Sequence, residues 1–105
     1  MNKEYNPAPI LLSENAFSKE IRQLIELLAE NVHEQWSAGK IKDGWKYGKQ
    51  HNDRLKEHPS IVPYQELPES EKEYDRKTVI ATLSLLAANG YDLSDICIKY
   101  TLQRP

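Results

Sequence analysis

The stretch "FSKEIRQLIELLAENVHEQW", from Phe17 to Trp36, decides the fold. Its apolar residues recur at steps of three and four, which is the spacing of one face of an amphipathic helix. They are Phe17, Ile21, Leu24, Ile25, Leu28, Val32 and Trp36. The pattern begins near Asn15, and Gly39 stands where a left-handed cap would end a helix. We therefore predict a first long helix from about Asn15 to Ala38, closed by Gly39.

A second helix is predicted to start at Pro68. Proline is favoured in the first turn of a helix, and the acidic residues that follow it suit the positive end of the helix dipole. The apolar stripe of this helix consists of Val79, Ile80, Leu83, Leu86 and Ala87. Gly90, directly after Asn89, is expected to end it.

The connection between the two helices, residues 40 to 67, is long and irregular, with two glycines and two prolines that interrupt any regular pattern. A connection of this length inside a compact domain is more often functional than idle. The piece "SIVPY", Ser60 to Tyr64, is expected to form a short strand or an extended segment. We expect an extended N-terminal arm over residues 1–12 and a single domain, which contains both helices, over residues 13–105. The tail from Ser94 to Tyr100 fits either one helical turn or a strand.

These elements predict a mainly α fold, in which two long antiparallel helices are joined by a long ordered loop with short extended or β segments. A chain of 105 residues has the length of a single domain. Its composition, 39% hydrophobic and 29% charged residues, is too apolar for a fully disordered chain. The net charge of −2 gives no reason to expect a nucleic-acid partner or a membrane surface. The single cysteine, Cys97, excludes an internal disulfide. We expect a cytoplasmic protein without membrane insertion.

Charge is unevenly distributed along the chain. Residues 40–56 carry a net charge of +4, whereas residues 66–76 carry −3. This polarity could steer an anionic ligand to the loop, or bring the loop of one copy to the acidic segment of another. Trp45 and Tyr47 stand among the lysines and glycines, so they are either a stacking platform for a flat anionic ligand or lids on a thin core.

Two further residues have two interpretations each. Arg76 continues the apolar stripe of the second helix, so its guanidinium needs a structural carboxylate partner or a ligand. His33 is either a hydrogen-bonded packing residue beside Trp36 or a group that titrates near neutral pH. The sequence holds no nucleophile motif, no phosphate-binding glycine loop and no paired metal-ligand motif, so we predict no enzyme activity, no cofactor and no metal site.

Three pieces of the chain together resemble the ryanodine-receptor repeat, or Ryr domain. They are "LAENVHEQWSAGKIKDGWKYG" from Leu28 to Gly48, "HPSIVPYQELPESEKEYDR" from His58 to Arg76, and "KTVIATLSLLAANGY" up to Tyr91. Their order and spacing resemble the family across roughly Leu12 to Leu93. The combination is specific, although no single piece would be.

The resemblance implies a mostly helical repeat with short strands that is not an enzyme. In ryanodine receptors such repeats occur in pairs on the cytosolic side of a calcium-release channel, so for a single repeat it implies a homodimer. The expected function is a binding or self-association module. The alternative is a sensor for an anionic, nucleotide-like ligand, as suggested for some relatives. The residues expected to bind that ligand are Trp36, Lys40, Trp45, Tyr47, Tyr64 and Arg76.

Overall fold

The computed structural model describes residues 4–92 and contains two long helices and a small parallel sheet. A short 3-10 helix, Glu14–Ala16, precedes α1, Lys19–Lys42. Two strands of two residues each follow, β1, Lys46–Tyr47, and β2, Glu57–His58. A second 3-10 helix, Tyr64–Glu66, leads into α2, Glu69–Ala88. The mainly α fold with short β segments predicted from the sequence is confirmed.

The helix α1 starts later and ends later than its sequence pattern predicts. Ser18 caps its first turn by accepting a hydrogen bond from the Ile21 amide. The prediction that Gly39 ends the helix in a left-handed cap is wrong, because Gly39 lies inside α1. Instead Gly44, with φ of +95°, takes the left-handed conformation just beyond Asp43. The helix therefore continues for one more turn and carries Lys40 with it.

The two helices run antiparallel and enclose the core between them. Trp36, near the end of α1, lies opposite Glu71 in the first turn of α2, and Leu28 lies opposite Thr82. The buried core consists of Phe17, Ile25, Ala29, Tyr64, Leu67, Val79, Ile80 and Leu83. Leu24 and Leu28, which the periodicity places in the apolar stripe of α1, lie at its edge and are 44% and 38% exposed.

The helix α2 follows its prediction closely. Pro68 precedes the first helical residue, and Gly90, with φ of +84°, lies just past the Asn89 cap. Near the end of α2 the fully buried Ser84 accepts a hydrogen bond of 2.9 Å from the Leu12 amide. This bond attaches the start of the chain, which has no helix or strand between residues 4 and 13, to the second helix.

The loop contains the two strands, and both lie outside the segment Ser60 to Tyr64, for which the sequence left a short strand or an extended segment open. The segment Ser60 to Tyr64 forms no strand; Pro63 is extended and Tyr64 begins the second 3-10 helix. The strands β1 and β2 pair in parallel, with Lys46 opposite Glu57 and Tyr47 opposite His58. The predicted tail from Ser94 to Tyr100 lies outside the described residues. Within residues 4–92, neither helix combines the length and the apolar composition needed to cross a membrane.

Candidate functional site

A pocket of about 380 Å³ opens where the end of α1 meets the start of α2 and the chain that follows β2. This volume lies near the lower end of the range for small-molecule sites. We call it the Trp36 pocket. Its lining residues are Val32, His33, Trp36, His58, Ser60, Leu67, Glu71, Tyr74, Asp75 and Thr78. The two helices and the loop thus contribute aromatic rings, hydrogen-bonding groups and carboxylates to one concave surface.

His33 forms the inner wall of the Trp36 pocket and is held by hydrogen bonds. Its side chain is buried, and Nε2 lies 2.7 Å from the Val62 carbonyl oxygen, so this nitrogen carries the proton and donates. The Ser37 hydroxyl lies 3.3 Å from the same nitrogen. The His33 ring stacks on Trp36 with centroids 5.7 Å apart and planes inclined by 22°. The interpretation of His33 as a hydrogen-bonded packing residue is therefore confirmed.

An aromatic cluster extends from the pocket to the loop. The His58 ring meets the Trp36 ring edge-on with centroids 5.0 Å apart, and lies 6.3 Å from the Trp45 ring. The Lys40 ammonium lies 4.6 Å from the centroid of Trp45 and 5.9 Å from that of Trp36, which are cation–π distances. Burial lowers the pKa of His58, and the nearby His51 and Lys40 lower it further. The neutral form of His58 is thus favoured beside the two indoles.

The outer wall of the pocket is acidic. Glu71 and Asp75 lie one turn apart on α2 and are both half-buried. The Ser60 hydroxyl donates a short hydrogen bond to Glu71 Oε1. Burial raises the pKa of Asp75; the nearby His33 lowers it and the neighbouring Glu71 raises it. No lysine or arginine is among the residues that line the pocket.

Arg76 lies outside the pocket lining and is fully engaged by carboxylates. Its Nε and Nη2 donate to the two oxygens of Glu26 at 2.7 and 3.0 Å, and its Nη1 donates to Glu69 and Glu73. The Tyr64 hydroxyl donates to the same Glu26 at 2.8 Å. We call these five residues the Arg76 network. It joins α1, α2 and the 3-10 helix between them, which is the structural carboxylate pairing that the sequence suggested for Arg76.

The pKa values of the Arg76 network follow from these contacts. The hydrogen bonds from Arg76 are the main reason that the pKa of Glu26 falls to about 2, although burial opposes the change. Burial and the hydrogen bond to Glu26 raise the pKa of Tyr64 to about 12. The same carboxylates, Glu26 first and Glu69 next, raise the pKa of Arg76. Glu26 and Arg76 therefore both carry their charges at neutral pH, while the Tyr64 hydroxyl keeps its proton and donates to Glu26.

The structure separates the six residues predicted to bind a ligand. Trp36 lines the pocket, and Lys40 and Trp45 adjoin it through the aromatic cluster. Tyr47 lies on β1 and is 54% exposed. Tyr64 and Arg76 belong to the Arg76 network. The lining residues that the sequence pattern did not assign to the site include His58, Ser60, Glu71, Tyr74 and Asp75. The spacing of Glu71 and Asp75 on one helix face was a usable signal, whereas nothing local marks His58 or Ser60.

Among residues 4–92, no three histidine, cysteine, aspartate or glutamate side chains are grouped so as to hold a metal ion. Cys97 lies outside the described range.

The sequence of the chain matches a known protein family. A family model described as the RyR domain matches residues 5–95, which is most of the 105-residue chain. The match includes both helices, the loop with its small sheet and every residue that lines the Trp36 pocket. The chain therefore belongs to the RyR domain family.

Proposed function

We propose that this RyR domain is a non-enzymatic binding module whose Trp36 pocket holds a small ligand with a flat ring and an anionic group, as a nucleotide has. Membership in the family supports the non-enzymatic character of the module, since in ryanodine receptors the RyR domain is a non-catalytic repeat. Those repeats are cytosolic, and we propose the same compartment for this chain. The observation that carries the ligand proposal is the pocket itself, open to solvent beside an indole ring.

The aromatic lining supports a flat ligand. Trp36 and Tyr74 both line the pocket, and Tyr74 is 74% exposed, so its ring is available to a ligand rather than used in the core. Stacking of a base on an aromatic side chain contributes about 1–3 kcal/mol. A pocket of about 380 Å³ has room for a ring system with a sugar-sized substituent.

Lys40 supports an anionic group on the same ligand. Its ammonium lies within cation–π distance of Trp36, which lines the pocket, and of Trp45 in the loop. Lys40 and Lys42 at the end of α1 contribute +2 of the net +4 charge of residues 40–56, and the loop that follows contributes the other +2. A ring held against Trp36 would place an attached phosphate toward this basic side and away from the acidic wall.

The test is a thermal-shift panel of nucleotides that includes cyclic dinucleotides, followed by titration of any ligand found. A ligand at 100 times its Kd stabilises the folded state by about 2.7 kcal/mol, which for a domain of this size raises Tm by about 10 °C. We expect Trp36→Ala to weaken binding by about tenfold or more. The matched control is Tyr47→Ala, which removes an exposed aromatic ring outside the pocket and should leave binding unchanged. A complete panel without any shift would remove the nucleotide-like ligand from the proposal.

Self-association is the second candidate, favoured by an apolar groove next to the Trp36 pocket. The groove encloses about 210 Å³ and its lining includes Leu28, Val32, Val79 and Leu83. Leu24 and Leu27 of α1 are each 44% exposed. The proposed occupant is a second copy of the chain, because the segment 66–76, whose net charge is −3 with Arg76 counted, complements the segment 40–56 with its net charge of +4.

Sedimentation at increasing protein concentration tests this second candidate. We expect a dimer that dissociates in high salt, because opposite charges on the two copies are screened. Leu28→Glu places a charge in the apolar groove and should shift the equilibrium to monomer, whereas Glu34→Gln, on an exposed part of α1, should not. A monomer at every concentration up to the millimolar range would refute self-association.

A further inference from the structure

The Trp36 pocket is chemically one-sided. Its lining includes two carboxylates, Glu71 and Asp75, and no lysine or arginine. Lys40, whose ammonium lies 5.9 Å from the Trp36 ring and 4.6 Å from the Trp45 ring, does not line the pocket. A ligand that fills the pocket therefore meets negative charge on the α2 side.

The two carboxylates differ in how they are satisfied. Glu71 accepts a hydrogen bond from the Ser60 hydroxyl. Within residues 4–92, no hydrogen bond or salt bridge reaches the half-buried carboxylate of Asp75. Removing a charged group from water without a partner is costly, so Asp75 favours a ligand that brings positive charge or N–H donors to it.

The aromatic wall across the pocket is suited to the same charge. The faces of indole and phenol rings attract cations within about 6 Å of the ring centroid. The Lys40 ammonium already occupies such positions at Trp36 and Trp45. A cationic ring against Trp36 would be attracted by the indole and by Glu71 and Asp75, and these two carboxylates outnumber the single ammonium of Lys40, which does not line the pocket.

From this arrangement we infer that the Trp36 pocket selects a ligand whose flat ring is positively charged or carries a positively charged nitrogen, held between Trp36 and the carboxylates Glu71 and Asp75. The inference rests on the proposed function, because it takes the Trp36 pocket as the ligand site. It adds the charge of the ligand ring that enters this pocket. The anionic group of the proposed ligand stays at Lys40, outside the lining. The proposed ligand is therefore zwitterionic, with a positive charge on its ring and a negative charge on the group at Lys40.

A pair of probes with almost the same shape and different charge tests the inference. They are the 1-methylnicotinamide cation and neutral nicotinamide, each titrated into the whole chain while the indole N–H signals of Trp36 and Trp45 are followed by NMR. We expect the cation to bind at least about tenfold more tightly than the neutral ring, with the larger shift at Trp36. Comparison with the spectrum of Trp45→Phe assigns the two indole signals.

Isosteric variants locate the source of the preference. Asp75→Asn should reduce the preference for the cation to about twofold, and Glu71→Gln should reduce it by a smaller factor because Glu71 already has Ser60 as a partner. The control is Glu34→Gln, which removes the same charge from an exposed position of α1 outside the lining and should keep the full preference.

Three results would overturn the inference: equal affinity for the two probes, a preference that survives the double variant Asp75→Asn, Glu71→Gln, or no binding of either probe at millimolar concentration. Failure here and failure of the proposed function are distinguishable. Nucleotides that bind in a Trp36-dependent way without any charge preference would remove only the present inference. If the cation binds and no nucleotide does, only the anionic group of the proposed ligand is refuted, and the preference for a cationic ring stands.

Discussion

Replacing Arg76 by alanine is expected to lower the free energy of unfolding by about 2 kcal/mol at neutral pH. The Arg76 side chain is 20% exposed, and its guanidinium pairs bidentately with Glu26 of α1 and also donates to Glu69 and Glu73 of α2. Hydrogen bonds to charged groups contribute about 1.5–3 kcal/mol each in favourable geometry, but these carboxylates are at least half exposed and water screens them. Urea unfolding at pH 7, followed by circular dichroism, measures the change.

Two control variants separate the geometry of the Arg76 network from its charge. Arg76→Lys keeps the positive charge and loses the bidentate pairing, so we expect about half of the loss. Glu73→Gln removes a carboxylate that is 53% exposed and three residues away on the same helix, so it should cost less than about 0.5 kcal/mol. A loss below 0.5 kcal/mol for Arg76→Ala would contradict the structural role assigned to the network.

The same network predicts how stability depends on acid. The pKa of Glu26 is about 2 in the folded chain, below its ordinary value of 4.5. The stabilising contribution of Glu26 is therefore fully present above pH 4.5 and is lost as the pH falls toward 2. Because Glu26 is 54% exposed, we expect this loss to be about 1–2 kcal/mol. In Arg76→Ala the acid-dependent loss from Glu26 should shrink markedly, since the donor that lowers its pKa is gone.

The helices were predictable because many of the apolar residues that recur at helical spacing pack in the core of the folded chain. The end of α1 was not, since the sequence "GKIKDG" has a glycine at each end and either could close a helix. Two hydrogen bonds favour the second glycine: Lys56 Nζ, thirteen residues along the chain, donates to the Asp43 carbonyl oxygen, and the Trp45 amide donates to the Lys40 carbonyl oxygen. These bonds fix the turn at Gly44, and periodicity contains no information about them.

The candidate site was predictable only where its residues are marked by their local sequence. Trp36 was identified because an aromatic residue stands next to the loop in sequence. The acidic residues Glu71 and Asp75 were interpreted as part of a charged segment, because their position opposite Trp36 depends on the register between α1 and α2. His58 depends on the parallel pairing of two-residue strands separated by nine residues, which composition does not encode.

Replacing Gly48 by alanine is expected to destabilise the fold by about 2 kcal/mol and to disturb the Trp36 pocket. A Cβ at Gly48 would lie 2.5 Å from Glu57 Cβ, and that atom is fixed to the backbone of β2. The two strands would have to separate, which is the cost of overpacking. The Gly48 amide donates to the His58 carbonyl oxygen, so a displaced strand also moves the His58 ring away from Trp36.

Gly39→Ala is the matched control, and the expected effects have opposite signs. A Cβ at Gly39 meets nothing within 4 Å, and the residue lies inside α1, where alanine is favoured over glycine by about 1 kcal/mol. Gly39→Ala should therefore stabilise the chain by about 0.5–1 kcal/mol and leave the indole N–H signals of Trp36 and Trp45 nearly unchanged. Gly48→Ala should lower Tm and shift the Trp36 signal. A destabilised Gly39→Ala would contradict the helical assignment of Gly39, and an unaffected Gly48→Ala would contradict the close approach of Gly48 to Glu57.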